Sequence, residues 1–248
     1  MATERRLTLT DVLPKDHAVL DGAPRSLDQV LDGRSGLLVL DYGCGDAARR
    51  AAVVNSGSRY VGVDPYSRSA DVVGSGERLP FGAASFDVVV SVAVFEHLLD
   101  PRDGIDEIGR VLKPGGVLVG YSAFLENFHE VSYHHLTHKA LEHLFGRAGL
   151  TVVRLWPTSY GLDYQIGNLV VPGGRPRWAK SAVRWIVRAM TGATLRLHVA
   201  GHAVWRRLRG RATEGESHLR LRFLQLKFAS GIAFEAVRRP TESGTAAS

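Results

Sequence analysis

The run Leu37-Leu38-Val39-Leu40-Asp41, followed at once by Tyr42-Gly43-Cys44-Gly45, constrains the fold more than any other part of the chain. A short continuous apolar run bounded by glycine reads as a strand buried on both faces, because a half-exposed strand would alternate apolar with polar residues. Gly43 and Gly45 then punctuate a turn, and residues 47–54, AARRAAVV, read as a helix. The same order recurs further on. A second apolar run, Tyr60–Val63, stops at Asp64-Pro65, and a Val-rich third, Phe86–Val94, follows the turn-like Gly82-Ala83-Ala84-Ser85. Ile105, Ile108, Val111 and Leu112 keep helical spacing up to Pro114-Gly115-Gly116, after which Val117–Tyr121 predicts another strand. Thr137 is placed to cap a helix whose apolar face is Leu141, Leu144, Phe145 and Ala148; Gly149 stops it, and Leu150–Leu155 reads as the next strand. Strands alternating with helices predict an α/β fold with a doubly wound, mostly parallel sheet that binds ligands at the carboxyl ends of its strands.

Composition bounds this reading. At 248 residues and 45% hydrophobic, the chain suits one large domain with an elaboration. Its one cysteine, Cys44, cannot form an internal disulfide and is expected to be a small buried residue of the glycine turn. The longest stretch without Asp, Glu, Lys or Arg, Pro114–Leu125, is twelve residues long, short of the roughly 18 to 20 that cross a bilayer. The opening residues, MATERRLTLTDVLPKD, have no apolar core and do not read as a signal peptide, so the expected location is the cytoplasm. The net charge of +6 is uneven: residues 1–170 hold 16 Lys and Arg against 21 Asp and Glu, whereas residues 171–248 hold 15 against 4. A basic C-terminal third points to an anionic partner of that part alone.

The glycine turn is also the first place where chemistry is legible. At the end of a parallel strand it would offer backbone N–H groups and a helix N-terminus to a ligand, and glycines let that ligand approach the backbone. With Ala48 the turn fits a loose G-x-G-x-x-A dinucleotide pattern, although glycine turns also serve purely structural ends. Asp64, 19 residues after Gly45 at the end of the next strand, can accept from both hydroxyls of an adenosine ribose. Together the two features predict an adenosine-containing cofactor.

Four segments in order, LLVLDYGCG, YVGVDPY, GERLPFGAASFDVVVSVAVFEHLLDP and EIGRVLKPGGVLVGYS, resemble the small-molecule type of class I S-adenosylmethionine-dependent methyltransferases. The resemblance covers about residues 37–157 and then the last strand. It implies a Rossmann-like, seven-stranded sheet with S-adenosyl-L-methionine as cofactor; no metal is expected, because His129, His134, His135 and His138 with Glu130 match no compact ligand spacing and methyl transfer needs none. It also implies that Asp41, Gly43 and Gly45 surround the methionine end, with Asp41 paired to the ammonium group. Asp64 would hold the ribose, and Pro65 or Tyr66 would lie against the adenine. The acidic residue usual six positions before the Phe of LPF is here Ser75, so Ser75, Glu77 or a backbone carbonyl is left to meet the adenine amino group. Ser91 and Val92 would line the cofactor near its sulfur.

Methyl transfer to a hydroxyl needs a base, and histidine titrates near neutrality. His129 paired with Glu130 is the favoured candidate, with His97 and Tyr133 beside it, while His134 and His135 suit a structural place before the Thr137 helix. His97 has a structural or gating role as its alternative. The loop from His129 onward resembles methyltransferases of polysaccharide and glycoconjugate assembly, which implies a small-molecule or glycan and glycolipid acceptor methylated on oxygen. N- or C-methylation of a natural product or lipid is the alternative. A nicotinamide-dependent oxidoreductase and a non-catalytic binding protein on the same fold are the readings from other classes.

The expected organisation is an N-terminal helical segment (1–36), a cofactor-binding core (37–157), a basic helical insertion (158–224), a final strand (225–239) and a disordered tail (240–248). Within the insertion Arg177, Lys180, Arg184 and Arg188 would form a basic helix face beside the apolar Trp178, Ala182, Trp185, Ile186 and Met190. Two readings stand for residues 175–211: a solvated lid, or peripheral contact with an anionic membrane or a phosphate-bearing acceptor. No nucleic acid is expected, since no RNA-binding module is present.

Overall fold

A computed structural model of the chain describes residues 12–14, 16–126, 131–170, 177–209 and 216–240. After a short 3-10 turn at His17–Leu20 come α1 (Leu27–Leu31), β1 (Leu38–Tyr42), α2 (Arg50–Asn55), β2 (Arg59–Asp64), β3 (Val72–Val73) and β4 (Phe86–Val92). A second 3-10 turn, Phe95–His97, leads to α3 (Pro101–Val111), β5 (Leu112–Ala123), α4 (His138–Arg147) and β6 (Leu150–Pro157). Three helices follow, α5 (Gly161–Val170), α6 (Arg177–Leu208) and α7 (Glu216–Lys227), before the closing strand β7 (Gly231–Arg238). Among the described residues these strands form one seven-stranded sheet in the order β3-β2-β1-β4-β5-β7-β6. β7 runs antiparallel to β5 and β6, and the other pairings are parallel.

Sheet alternation explains why the strands read as unbroken apolar runs. Val39, Val88, Val90, Val117 and Val119 face one side and pack on Val30 and Leu31 of α1 and Val53 of α2. Leu40, Val89 and Leu118 face the other, where Phe95, Phe145 and Phe234 form the centre of the larger core. Phe95 and Phe234 stack at 5.6 Å, and Phe145 meets Phe234 edge-on at 5.0 Å, geometries that suit the quadrupoles of the rings. With helices on both faces, neither set of residues meets water.

The chain leaves β1 for β2 and β3 on one side, then returns to β4 on the other, so β1 pairs with both β2 and β4. That switch in direction opens a crevice at the carboxyl ends of β1 and β4, the usual ligand position in such sheets. Local signals set the helices that flank it. Asp100 caps α3 and Pro101 fills its first position, where a missing N–H is harmless. Thr137 caps α4 as expected, its hydroxyl accepting from the Ala140 N–H.

Besides shifts at element ends, such as β4 stopping at Val92 rather than Val94 and α2 starting at Arg50, three details differ from the sequence reading. β1 runs through Asp41 to Tyr42, because Asp41 pairs with Gly62 on one side and Val90 on the other. Pro114-Gly115-Gly116 is drawn into β5 as a bulge: the register steps from Phe86 opposite Leu112 to Val88 opposite Val117, with Gly115 at φ +77°. Residues 225–227, expected in the last strand, belong to α7, because Leu219, Phe223 and Leu226 sit at helical spacing on the main core.

The insertion is rooted at the carboxyl ends of β5 and β6. Phe124 and Leu125 donate backbone N–H to the Ser230 carbonyl, Ser230 donates to Ser159, and Tyr160 bridges Ala229. Asp163 of α5 is fully buried and accepts from Arg188 Nε of α6 at 2.8 Å. Arg184 lies over the Tyr164 ring at 5.1 Å and against Gly167, where a larger residue would collide with its stem. The Arg184 and Arg188 part of the expected basic face therefore turns inward onto α5, and the apolar residues between them turn outward.

Candidate active site

A cavity of about 820 Å³ occupies the crevice at the ends of β1, β2 and β4, within the size range of small-molecule sites. Its floor is the turn after β1. Gly43 has φ +72° and Gly45 φ +54°, and the Gly43 and Cys44 N–H groups both donate to the Val63 carbonyl, fastening the turn to β2. A side chain at Gly43 would run into Val94, so that position is closed to anything larger. Gly45 faces open space instead: its bare backbone is accessible to a ligand that a Cβ would hold off.

Asp64, at the end of β2, ties this floor to the next loop. Its Oδ2 accepts from Gly45 N–H at 3.0 Å, and its Oδ1 accepts from Tyr66 and Ser67 N–H at 2.9 Å each. A carboxylate has about four acceptor positions, so three backbone bonds leave one for a ligand hydroxyl, and bifurcation can admit a second. Beyond Asp64, Pro65 and Tyr66 form one wall, with Tyr66 94% exposed and its ring unburied by protein. The opposite wall holds Ser75 and Glu77. The Ser75 hydroxyl donates to Glu77 Oε2, while Glu77 Oε1 accepts from the Leu99 and Asp100 N–H groups. Glu77 is thus a latch between two loops, and Ser75 Oγ, which also accepts from the Glu77 N–H at 3.2 Å, keeps one acceptor position at the cavity wall.

Val92, Ala93 and Val94 close the far end, where β4 stops abruptly: Ala93 has φ +55° and donates its N–H to the Tyr121 carbonyl. The Phe95–His97 turn then buries Phe95 and Glu96 and presents His97 to the cavity. His97 Nδ1 lies 2.8 Å from the Val131 carbonyl oxygen. A carbonyl can only accept, so in the neutral ring Nδ1 carries the proton and the basic lone pair sits on Nε2. Tyr133 lines the cavity beside it, held by its N–H to the Glu96 carbonyl at 2.7 Å.

Of the residues singled out from sequence, Gly43, Gly45, Asp64, Pro65, Ser75, Glu77, Val92, His97 and Tyr133 line this one cavity. Asp41 does not. It is fully buried, and its carboxylate accepts from Tyr60 Oη at 2.8 Å and Arg49 NH1 at 3.2 Å. Burial raises its pKa above the ordinary carboxylate value, against the opposing pull of Arg49 and Tyr60. Ser91 is also fully buried off the cavity, because the pleat sends it to the opposite face from Val92. His129 and Glu130 lie outside the described residues. His134 donates Nε2–H to the Leu99 carbonyl and His138 to the Val12 carbonyl, so both staple loops; burial lowers the His138 pKa despite that carbonyl. Sequence reading missed Arg49 and Tyr42, which line the cavity. Arg49 lies inside the predicted helix segment, and nothing local marks it as facing a ligand.

Residues 40–120 match the family model of the methyltransferase domain. An uncharacterized methyltransferase of Mycobacterium leprae is 34% identical over 116 residues, 40% of this chain and 43% of that protein, so the match spans less than half of the relative's length. Among solved structures, a provisionally assigned sarcosine dimethylglycine methyltransferase from Galdieria sulphuraria has a TM-score of 0.53 at 14% identity, covering 86% of this chain and 82% of that one. The [4+2]-cyclase SpnF has the same TM-score and identity, over 91% of this chain and 87% of its own. Likeness at this level of identity establishes the fold, and the cyclase illustrates that one fold can house other chemistry.

Proposed function

We propose that the core of this chain is a class I S-adenosylmethionine-dependent methyltransferase domain and that the protein methylates a hydroxyl oxygen of a small-molecule or glycan acceptor, with His97 as general base. The observation that carries this reading is the convergence of the Gly43–Gly45 turn, Asp64 and His97 on one cavity. The open backbone at Gly45 and the acceptor-rich Asp64 and Ser75 suit an adenosine-bearing ligand. Asp64 would accept from the ribose hydroxyls. Ser75, its own hydrogen given to Glu77, would accept from the adenine amino group, and Tyr66 would offer ring surface to the base. Arg49 would supply positive charge at the glycine-turn end.

S-adenosylmethionine brings an already activated methyl group, so the chain's own work is to align an acceptor and take its proton. His97 suits that task because it lines the cavity and the Val131 carbonyl fixes its tautomer, which leaves the basic lone pair on Nε2. Tyr133 would orient the acceptor by hydrogen bonding. His129 with Glu130 is the second candidate pair, and the resemblance of that loop to enzymes of polysaccharide assembly favours a sugar hydroxyl as acceptor.

His97→Asn tests the base. The Asn amide can still donate to Val131 but has no basic nitrogen, so kcat should fall by about 10²- to 10⁴-fold with S-adenosylmethionine affinity unchanged. A full rate in His97→Asn beside a loss in His129→Asn would move the base to His129. Absence of S-adenosylmethionine binding by the native chain would overturn the whole reading.

A further inference from the structure

Five apolar side chains of α6, Ile186, Met190, Leu197, Val204 and Leu208, are exposed, Leu197 to 74% and Leu208 to 82%. Their spacings of 4, 7, 7 and 4 residues place them in a single row along the helix, about 33 Å long at 1.5 Å per residue. The opposite side of α6 is already occupied: Leu195 and Val199 are buried there, and Arg188 reaches Asp163. The row thus faces away from the body of the protein. Trp178 and Trp185 stand exposed beside it; of the seven Lys and Arg on the helix, Arg184 and Arg188 turn to α5, while Arg196 and Arg207, each one position before a residue of the row, are exposed, and the helix has no Asp or Glu.

We propose that this face of α6 docks on an anionic lipid surface. An exposed apolar row of this length exceeds what isolated surface residues require. Its setting decides the occupant. A second copy of the chain would bring two helices of uniform positive sign together with no carboxylate between them, a like-charge pairing that opposes association. An anionic bilayer reverses that sign: leucines and methionine enter the acyl boundary, tryptophans sit at headgroup level, and the cations meet lipid phosphates. Since no described helix is long and apolar enough to cross a membrane, α6 would lie in the interface. This inference stands apart from methyl transfer.

Co-sedimentation of the full chain with vesicles tests it, using phosphatidylcholine alone and phosphatidylcholine with about one third phosphatidylglycerol. Binding to the anionic vesicles at low salt is expected, falling as salt rises, with little binding to the neutral ones. The double variant Leu197→Glu/Val204→Glu should lower partitioning on the order of tenfold, while circular dichroism and thermal unfolding stay native because both sites are exposed. Should that variant unfold, Met190→Gln and Arg207→Gln are read in its place. No binding at low salt, or undiminished binding of the folded variants, would overturn the proposal. So would a dimer in solution that these substitutions dissolve, for the row would then be an interface between copies.

Discussion

Replacing Asp64 by Asn separates two roles of one carboxylate. Asp64 holds three backbone N–H groups, those of Gly45, Tyr66 and Ser67, and faces the cavity. An amide has one acceptor oxygen. If that oxygen keeps Tyr66 and Ser67, the new NH₂ faces the Gly45 N–H and one bond is lost. At a partly exposed site that loss is about 1 kcal/mol, which for a chain of this length lowers Tm by about 2–4 °C. Ligand binding should suffer more. Hydrogen bonds to a charged acceptor are stronger than neutral ones by about 1 kcal/mol each; for two ribose hydroxyls this sums to about 2 kcal/mol, or roughly thirtyfold in Kd. Calorimetric titration with S-adenosylmethionine and S-adenosylhomocysteine, beside thermal unfolding without ligand, reads both effects. An affinity within twofold of the native chain, with the Tm lowered, would show that Asp64 serves the loop alone and that the ribose is held elsewhere. An unchanged Tm would refute the bond to Gly45.

Gly43→Ala should destabilise the chain by about 2–4 kcal/mol, since a left-handed backbone costs a non-glycine residue about 1–2 kcal/mol and its methyl would strike Val94. Adding Val94→Ala should recover the collision part and leave the backbone part, a split that thermal unfolding of the two variants would reveal. Glu235→Gln tests an electrostatic anchor of the N-terminal segment. Burial pushes the Glu235 carboxyl up, but the side chain and backbone N–H of Arg25 outweigh it and hold the pKa below the usual value. A lowered pKa stabilises the fold fully above the unfolded value, about 4.3, and that stability is lost as the pH falls from there through the lower folded value. The variant should therefore be less stable at pH 7 and lose less stability than the native chain on acidification, as read from unfolding midpoints across pH.

Elements whose cause is local were set by neighbouring residues alone. A glycine turn after an apolar run, an aspartate ending the next strand, Thr137 before its helix and unbroken Val-rich strands each carry their own steric or solvation reason, so β1, β2, β4, α4 and the polar floor of the cavity at Gly43, Gly45 and Asp64 were legible in order. What the sequence left open were directions. Asp41 shares its segment with the cavity-lining glycines, yet its carboxylate points to Arg49 and Tyr60. Ser91 and Val92 are neighbours on opposite faces of β4. α6 makes the clearest case: helical periodicity fixes the angle between one residue and the next but not the rotation of the whole helix about its axis. Tertiary structure sets that rotation, because the buried Asp163 draws Arg188 inward and an unpaired buried carboxylate would be costly. With the arginine turned in, the row from Ile186 to Leu208 can only face out.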